Sequence, residues 1–235
     1  MKRVRPQIII TDHLYPNEIR KKIEMAGRTC YQSNDDRKTD TNKFISNLVK
    51  RGHTSVLEHV SLSFRVITDR GISHELVRHR IASYSQESTR YCKYGNDVQF
   101  IVHINDPFQS LLDKVNQNCE IEYNMLILQN APAQIARQAL NNNVKTEVYC
   151  TMNLRSLRNF FELRCAPAAH PYMKELAIPF LLEMKDQLSP IFDDIQYDEK
   201  FYEERLKDYL LPVVTYDCEY DMNRFYGEST NEATE

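Results

Sequence analysis

Only five glycines are spread over the 235 residues, at Gly27, Gly52, Gly71, Gly95 and Gly227, and no two stand close enough to make GxGxxG or a phosphate-cradling P-loop. The glycine-rich nucleotide sites are excluded as written, so a dinucleotide bound by this chain must be held by side chains. The stretch that offers them is Arg78 to Tyr91, RHRIASYSQESTRY, which contains neither glycine nor proline. Its arginines present planar forks to phosphate and carbonyl edges, and Ser83, Ser85, Gln86 and Ser88 add neutral donors. The run leading into it, Gly71 to Arg80, reads as a short helix with Ser73 as N-cap and Leu76 and Val77 on the buried side. Arg78, His79 and Arg80 then fall in its last turn, where the helix dipole favours cations.

No linker rich in Gly, Ser or Pro divides the chain, which reads as one domain over 1–235. With 30 basic and 33 acidic residues the formal net charge is −3, which argues against a nucleic acid as the main partner. The basic start, Met1 to Pro6, is followed by only Ile8, Ile9 and Ile10 before Thr11, too short for a signal peptide or a membrane span. A cytoplasmic protein is expected. Six cysteines, Cys30, Cys92, Cys119, Cys150, Cys165 and Cys218, show no CxxC pair and no zinc spacing. Reduced thiols are expected, and no metal.

Periodicity gives an α+β chain, a mixed sheet with packed helices. Strands are expected at Gln7–Thr11, at Val60–Thr68 with Val60, Leu62, Phe64 and Val66 on one face, at Val98–His103 and at Val144–Met152. Thr68 to Gly71 reads as a turn. Helices are expected over Tyr15–Gln32, from Asp40 or Thr41 to Gly52, from Asp106-Pro107 with Phe108, Leu111, Leu112, Val115 and Cys119 on one stripe, and from Ala131-Pro132 with Ile135, Ala136 and Ala139 inward. His170-Pro171 opens another, with Pro179 as a kink or break, and a last one is expected around Phe201 to Leu211. Ser55 with Glu58 reads as a capping box. Asn153 reads as the N-cap of a helix carrying Leu154, Leu157 and Phe161 as an apolar stripe that Arg164 continues. An arginine at the end of a buried stripe needs a counter-charge or a polar ligand, or must snorkel outward. Arg155 and Asn159 share a different face, and as a bland alternative they form an i,i+4 hydrogen bond.

The spacing Arg78-His79-Arg80, seven residues, then Ser88, resembles the signature RHRxxxxxxxS of the flavin-dependent thymidylate synthases. Asn153 to Asn159 through Leu163-Arg164 is similar to that family's downstream block, and Gly52-His53 to Glu58-His59 to its upstream one. The resemblance implies a thymidylate synthase domain that converts dUMP to dTMP. Methylenetetrahydrofolate would be the carbon donor and NADPH-reduced FAD the hydride source, in a homotetramer with shared active sites. It implies flavin contacts at Ser55, Arg78, His79, Arg80, Gln86, Asn153, Leu154, Arg155 and Asn159, with His53 near the active site. It implies dUMP contacts at Glu75, Leu76, Val77, Arg78, Gln86, Glu87, Ser88, Thr89, Arg90, Arg137 and Arg164. Arg164 is the residue linked to activation of the base. The chain departs from the pattern at Gln86, where several relatives carry a carboxylate, at Glu75, where some carry Gln, and over Ala169 to Lys174.

Methylation of an unactivated pyrimidine carbon is commonly prepared by a cysteine adduct, but none of the six cysteines lies in such a motif. The ring must then be polarised electrostatically, for which a permanently charged guanidinium such as Arg164 is suited. Two other readings compete. RHR followed by Tyr84, Arg90, Tyr91, Lys93 and Tyr94 interleaves cations with aromatics as in a non-catalytic nucleotide- or RNA-binding module. His53, His59, His74 and His79 raise a metal hydrolase, without HExxH or comparable carboxylate spacing.

Overall fold

The computed structural model describes residues 1–31, 40–95, 97–209 and 213–217. Strands β1 (Lys2–Val4) and β2 (Gln7–Ile10) precede helices α1 (Pro16–Tyr31) and α2 (Thr41–Lys50). A 3₁₀ turn, Thr54–His59, leads into β3 (Ser61–Asp69), α3 (Arg70–Leu76), β4 (Ser83–Gln86) and β5 (Gln99–Ile101). Then come α4 (Gln109–Leu128), the short α5 (Ala133–Ala136), β6 (Lys145–Asn153), α6 (Leu154–Arg164), α7 (Pro171–Leu188), α8 (Glu199–Phe201) and β7 (Val214–Tyr216). Five strands make a mixed sheet in the order β4-β6-β3-β2-β7, in which only β2 and β7 run parallel, while β1 and β5 form a separate parallel pair. The α+β expectation holds.

The sheet is built on β3 and β6, paired antiparallel from Ser61 opposite Asn153 to Asp69 opposite Lys145. Strict alternation on β3 turns Leu62, Phe64 and Val66 into the core. The face they make is covered by α6 and α7: Phe161 is fully buried and meets Phe160, Phe180 and Phe192 edge-on. Asn153 caps α6 as expected, its side chain accepting from the Ser156 amide at 2.8 Å. A second, smaller cluster, Val98, Phe100, Cys119, Tyr123, Ala136 and Val144, lies under α4.

Several local expectations are corrected. Asp69, not Ser73, caps α3, accepting from the Ile72 amide at 2.8 Å. Ser73 sits inside the helix and gives its hydroxyl back to the Arg70 carbonyl. The expected turn at Thr68 to Gly71 is absent because β3 passes directly into α3. The helix therefore starts and ends early, and Arg78, His79 and Arg80 follow it instead of filling its last turn. Ser83 to Gln86, read only as a run of side-chain donors, forms an edge strand on β6. Ser55 lies within the 3₁₀ turn, which has no side-chain cap, so the capping box does not form.

On α4 the expected stripe divides, with Cys119 buried as expected and Leu112 half-buried. Asn116, Cys119 and Tyr123 are buried, whereas Phe108, Leu111 and Val115 are more than half exposed, as is Ile135 on α5. Asp106 accepts from the Phe108 amide in a turn that delays the helix start to Gln109. α7 continues across Pro179. The tail around Phe201 is α8 running into a π-helical turn at Tyr202–Leu206, and Leu211 lies outside the described residues, as do Gln32, Cys218 and Gly227.

Behind α3 lies a buried ionic chain that the sequence did not announce. His103 is 3% exposed and its Nδ1 lies 3.1 Å from Glu175 Oε2, while its Nε2 lies 3.4 Å from Asp69 Oδ2. Its ring stacks on Tyr172 at 3.4 Å. Burial works against its charge, but the hydrogen bonds and charges of Asp69 and Glu175 prevail and raise His103 to about 9. A folded-state pKa above the usual 6.5 gives stabilisation that is full below 6.5 and is lost as pH rises through about 9. The denaturant midpoint should therefore fall between those values. His103→Gln should abolish that fall and lower stability at pH 6 by about 3 kcal/mol; urea titrations across pH check both.

Candidate active site

Arg78, His79 and Arg80 stand on the turn between α3 and β4. Backbone amides of Arg78 and His79 donate to the carbonyls of Glu75 and Leu76, each at 3.2 Å. From β4 the Tyr84 hydroxyl reaches back to the carbonyls of Leu76 and His79, each at 2.9 Å. This pins the turn to the sheet edge. Opposite stands α6, whose Asn153, Arg155, Ser156, Asn159, Leu163 and Arg164 face the turn across a cleft of about 690 Å³, with Ile81 and Glu58 completing the lining. Three sequence motifs thus converge on one cavity, within the volume usual for small-molecule sites.

The electrostatics of the cleft are uneven. Arg78 and Arg80 are exposed and pair with no acid among the described residues, which leaves two guanidinium forks turned to solvent. Arg155 pairs with Glu58, both side chains about half exposed, so the i,i+4 bond to Asn159 is replaced. Arg164 has found its counter-charge. Its Nη1 donates to Glu75 Oε2 at 2.7 Å, its Nη2 to the Glu75 carbonyl at 3.2 Å and its Nε to His79 Nε2 at 3.0 Å. His79 is only 8% exposed. Burial, and then the Arg164 charge, push it down to about 4.

The other expected contacts lie elsewhere. Ser55 and His53 line an adjoining pocket of about 290 Å³ that shares Arg155 with the cleft. Leu76 and Leu154 are buried side chains of the core, and Val77 is the half-buried C-cap of α3. Gln86 spends its amide donors on Ser73 Oγ and Thr146 Oγ1. Glu87 pairs with Lys145 and accepts from the Tyr94 hydroxyl. Ser88 accepts from the Arg90 amide, Thr89 is buried, and Arg90 is exposed beside the Tyr91 ring. Arg137 is exposed beyond α5. None of Gln86 to Arg90, nor Arg137, lines the cleft that holds Arg164.

Sequence reasoning missed Glu58 and Ser156 as lining residues and Tyr84 as the clamp. Ser156 could have been found, because it sits on the Arg155–Asn159 side of an N-capped helix. The Tyr84 clamp needed the strand β4. Among the described residues no group of three or more His, Cys, Asp or Glu could hold a metal ion, and no helix is long and apolar enough to cross a membrane.

With this geometry in hand the comparisons are direct. The family described as thymidylate synthase complementing protein matches residues 12–190. A flavin-dependent thymidylate synthase of Geobacter sulfurreducens is 36% identical over 185 residues, covering 73% of this chain and 80% of the relative. One of Corynebacterium efficiens is 31% identical over 201 residues, covering 75% and 79%. The fold is that of a UMP/dUMP methylase from Streptomyces cacaoi solved with 5-Br dUMP bound, at a TM-score of 0.68 and 20% identity, covering 87% of this chain and 97% of that one. An α+β enzyme fold with an arginine-lined cleft between a strand-edge turn and a capped helix is thus the class. The chain belongs to the thymidylate synthase complementing protein family, whose members here are flavin-dependent thymidylate synthases.

Tyr84→Phe tests the clamp. Removing one hydroxyl leaves the Leu76 and His79 carbonyls short of a donor, and stability should fall by about 1–2 kcal/mol in denaturant unfolding.

Proposed function

We propose that the protein converts dUMP to dTMP, taking its carbon from methylenetetrahydrofolate and its reducing equivalents from NADPH by way of FAD. The observation that carries this reading is the cleft itself. Arg78 and Arg80, unpaired among the described residues, with Asn153, Arg155 and Asn159 opposite, supply what a phosphorylated, carbonyl-bearing cofactor needs in a chain without a glycine loop. The residues present fit a flavin dinucleotide, and Ser55, His79, Gln86 and Leu154 complete the set assigned to it. When bound, the flavin supplies the hydride.

The remaining chemistry belongs to the chain. Burial pushes the thiols of Cys150 and Cys165 up to about 12, and no described cysteine lines the cleft. A cysteine adduct therefore has no nucleophile there. Arg164 instead stabilises negative charge as it develops on the imide and carbonyl groups of the base. Glu75, Leu76, Val77, Arg78, Gln86, Glu87, Ser88, Thr89, Arg90 and Arg137 form the dUMP site. Because Gln86 to Arg90 and Arg137 stand away from Arg164 in one chain, the complete site is assembled from several copies in a homotetramer. The exposed apolar face of Phe108, Leu111, Val115, Met125 and Leu128 supports burial of α4 between copies. The protein works in the cytoplasm, with neither nucleic acid nor membrane as partner.

The visible spectrum of the purified protein with added FAD tests the cofactor. A flavin band that bleaches with NADPH in the presence of dUMP, with dTMP formed only when methylenetetrahydrofolate is present, is the expected result. A protein that takes up no flavin as a tetramer overturns it. Arg78→Ala and Arg80→Ala should each weaken FAD binding about 10-fold or more and reduce its salt dependence, as fluorescence titration would show. Arg164→Leu should retain flavin and lose about 100-fold or more in kcat.

A further inference from the structure

The three bonds that hold Arg164 have a consequence for His79. A guanidinium has five N–H groups, and here Nε, one hydrogen of Nη1 and one of Nη2 are committed to His79 and Glu75. One donor on each Nη nitrogen is left for a ligand. Arg164 Nε can only donate, so His79 Nε2 must be the unprotonated nitrogen and the imidazole hydrogen must sit on Nδ1. Nδ1 has no protein partner among the described residues, and His79 lines the cleft. The ring cannot swing away easily. Phe160 packs edge-on against it at 5.1 Å, and the Tyr84 hydroxyl holds its own carbonyl.

We propose that His79 is a positioning residue that acts through Arg164: the neutral, Nδ1-protonated ring fixes the guanidinium at Nε while Glu75 holds both Nη nitrogens, and it presents its N–H to whatever occupies the cleft. This rests on the proposed role of Arg164 in activating the pyrimidine. It deepens that role by joining the cofactor cleft to the activating arginine through a single ring. An imidazolium at this position could not accept the Nε hydrogen. It would also stand against Arg164, with Arg78 and Arg80 flanking it in sequence, while among the described residues the acids at the cleft, Glu75 and Glu58, are already committed to Arg164 and Arg155. The low value of about 4 for this histidine agrees with the geometry.

The first test needs no activity. Nitrogen-15 NMR of the histidine rings in the full-length protein, with His79 assigned from the His79→Gln spectrum, should show Nε2 unprotonated and no titration between pH 5 and 8. In Arg164→Leu the ring should titrate at higher pH than in the wild type and the tautomer preference should relax. A wild-type His79 that carries its proton on Nε2, or that titrates near its usual 6.5, overturns the proposal whether or not the protein is a thymidylate synthase. The second test is kinetic, at saturating FAD with flavin occupancy measured. His79→Leu should lower kcat about 100-fold, the scale of a misplaced catalytic group, with KM for dUMP changed much less. His79→Gln, whose side-chain oxygen can accept from Nε without titrating, should recover most of that loss. Equal kcat in the leucine variant and wild type, or equal losses in both variants at full flavin occupancy, would remove the positioning role. Failure of every form to make dTMP while the NMR result stands would overturn the enzymatic reading alone.

Discussion

In an antiparallel ladder the two strands leave at opposite ends, and here each strand passes directly into a helix. β3 ends at Asp69, which caps α3, and β6 ends at Asn153, which caps α6. The nine-residue ladder is roughly 27 Å long. The helices that follow, of 7 and 11 residues, are roughly 10 and 16 Å long. Their C-terminal ends come together, as the bonds from Arg164 to Glu75 show. At that meeting point stand Glu75 and Arg164.

Two helix C-termini bring partial negative charge together, and a cation placed between them is favoured. Arg164 answers this need, bonding a carbonyl of the last turn of α3 and the carboxylate of Glu75 at once. The same arrangement leaves its charge compensated but its outer donors free, the condition for acting on a ligand without straying from position. Behind α3, the Asp69 side chain both caps the helix and faces His103, so the placement of Glu75 depends on a buried ion pair as well as on the ladder. The cleft in front differs in kind. Its cations Arg78 and Arg80, unpaired among the described residues, stay solvated in water and become useful only when a polyanionic ligand arrives.

Much of this was legible in the residues. The alternation of Leu62, Phe64 and Val66, the Asn153 cap, the apolar stripe of α6 and the demand of Arg164 for a partner are all local patterns, and each is found where periodicity put it. Other features were misread for an equally local reason. Ser73 is a good cap by type, but Asp69 precedes it and takes the helix start. The stripe Phe108, Leu111 and Val115 has helical spacing, yet periodicity reports only which residues share a face, not what that face meets. In one chain it meets water.

The sequence by itself determined the fold class, the motifs and the chemical character of the site, because strand alternation, capping and guanidinium chemistry are properties of short segments. Tertiary structure alone decided that Glu75 and His79 are the partners of Arg164, that Glu58 holds Arg155, and that Gln86 to Arg90 stand apart from the cleft. Those pairings join residues up to 97 positions apart. They follow from how long the ladder is and where each helix leaves it, which no short segment encodes.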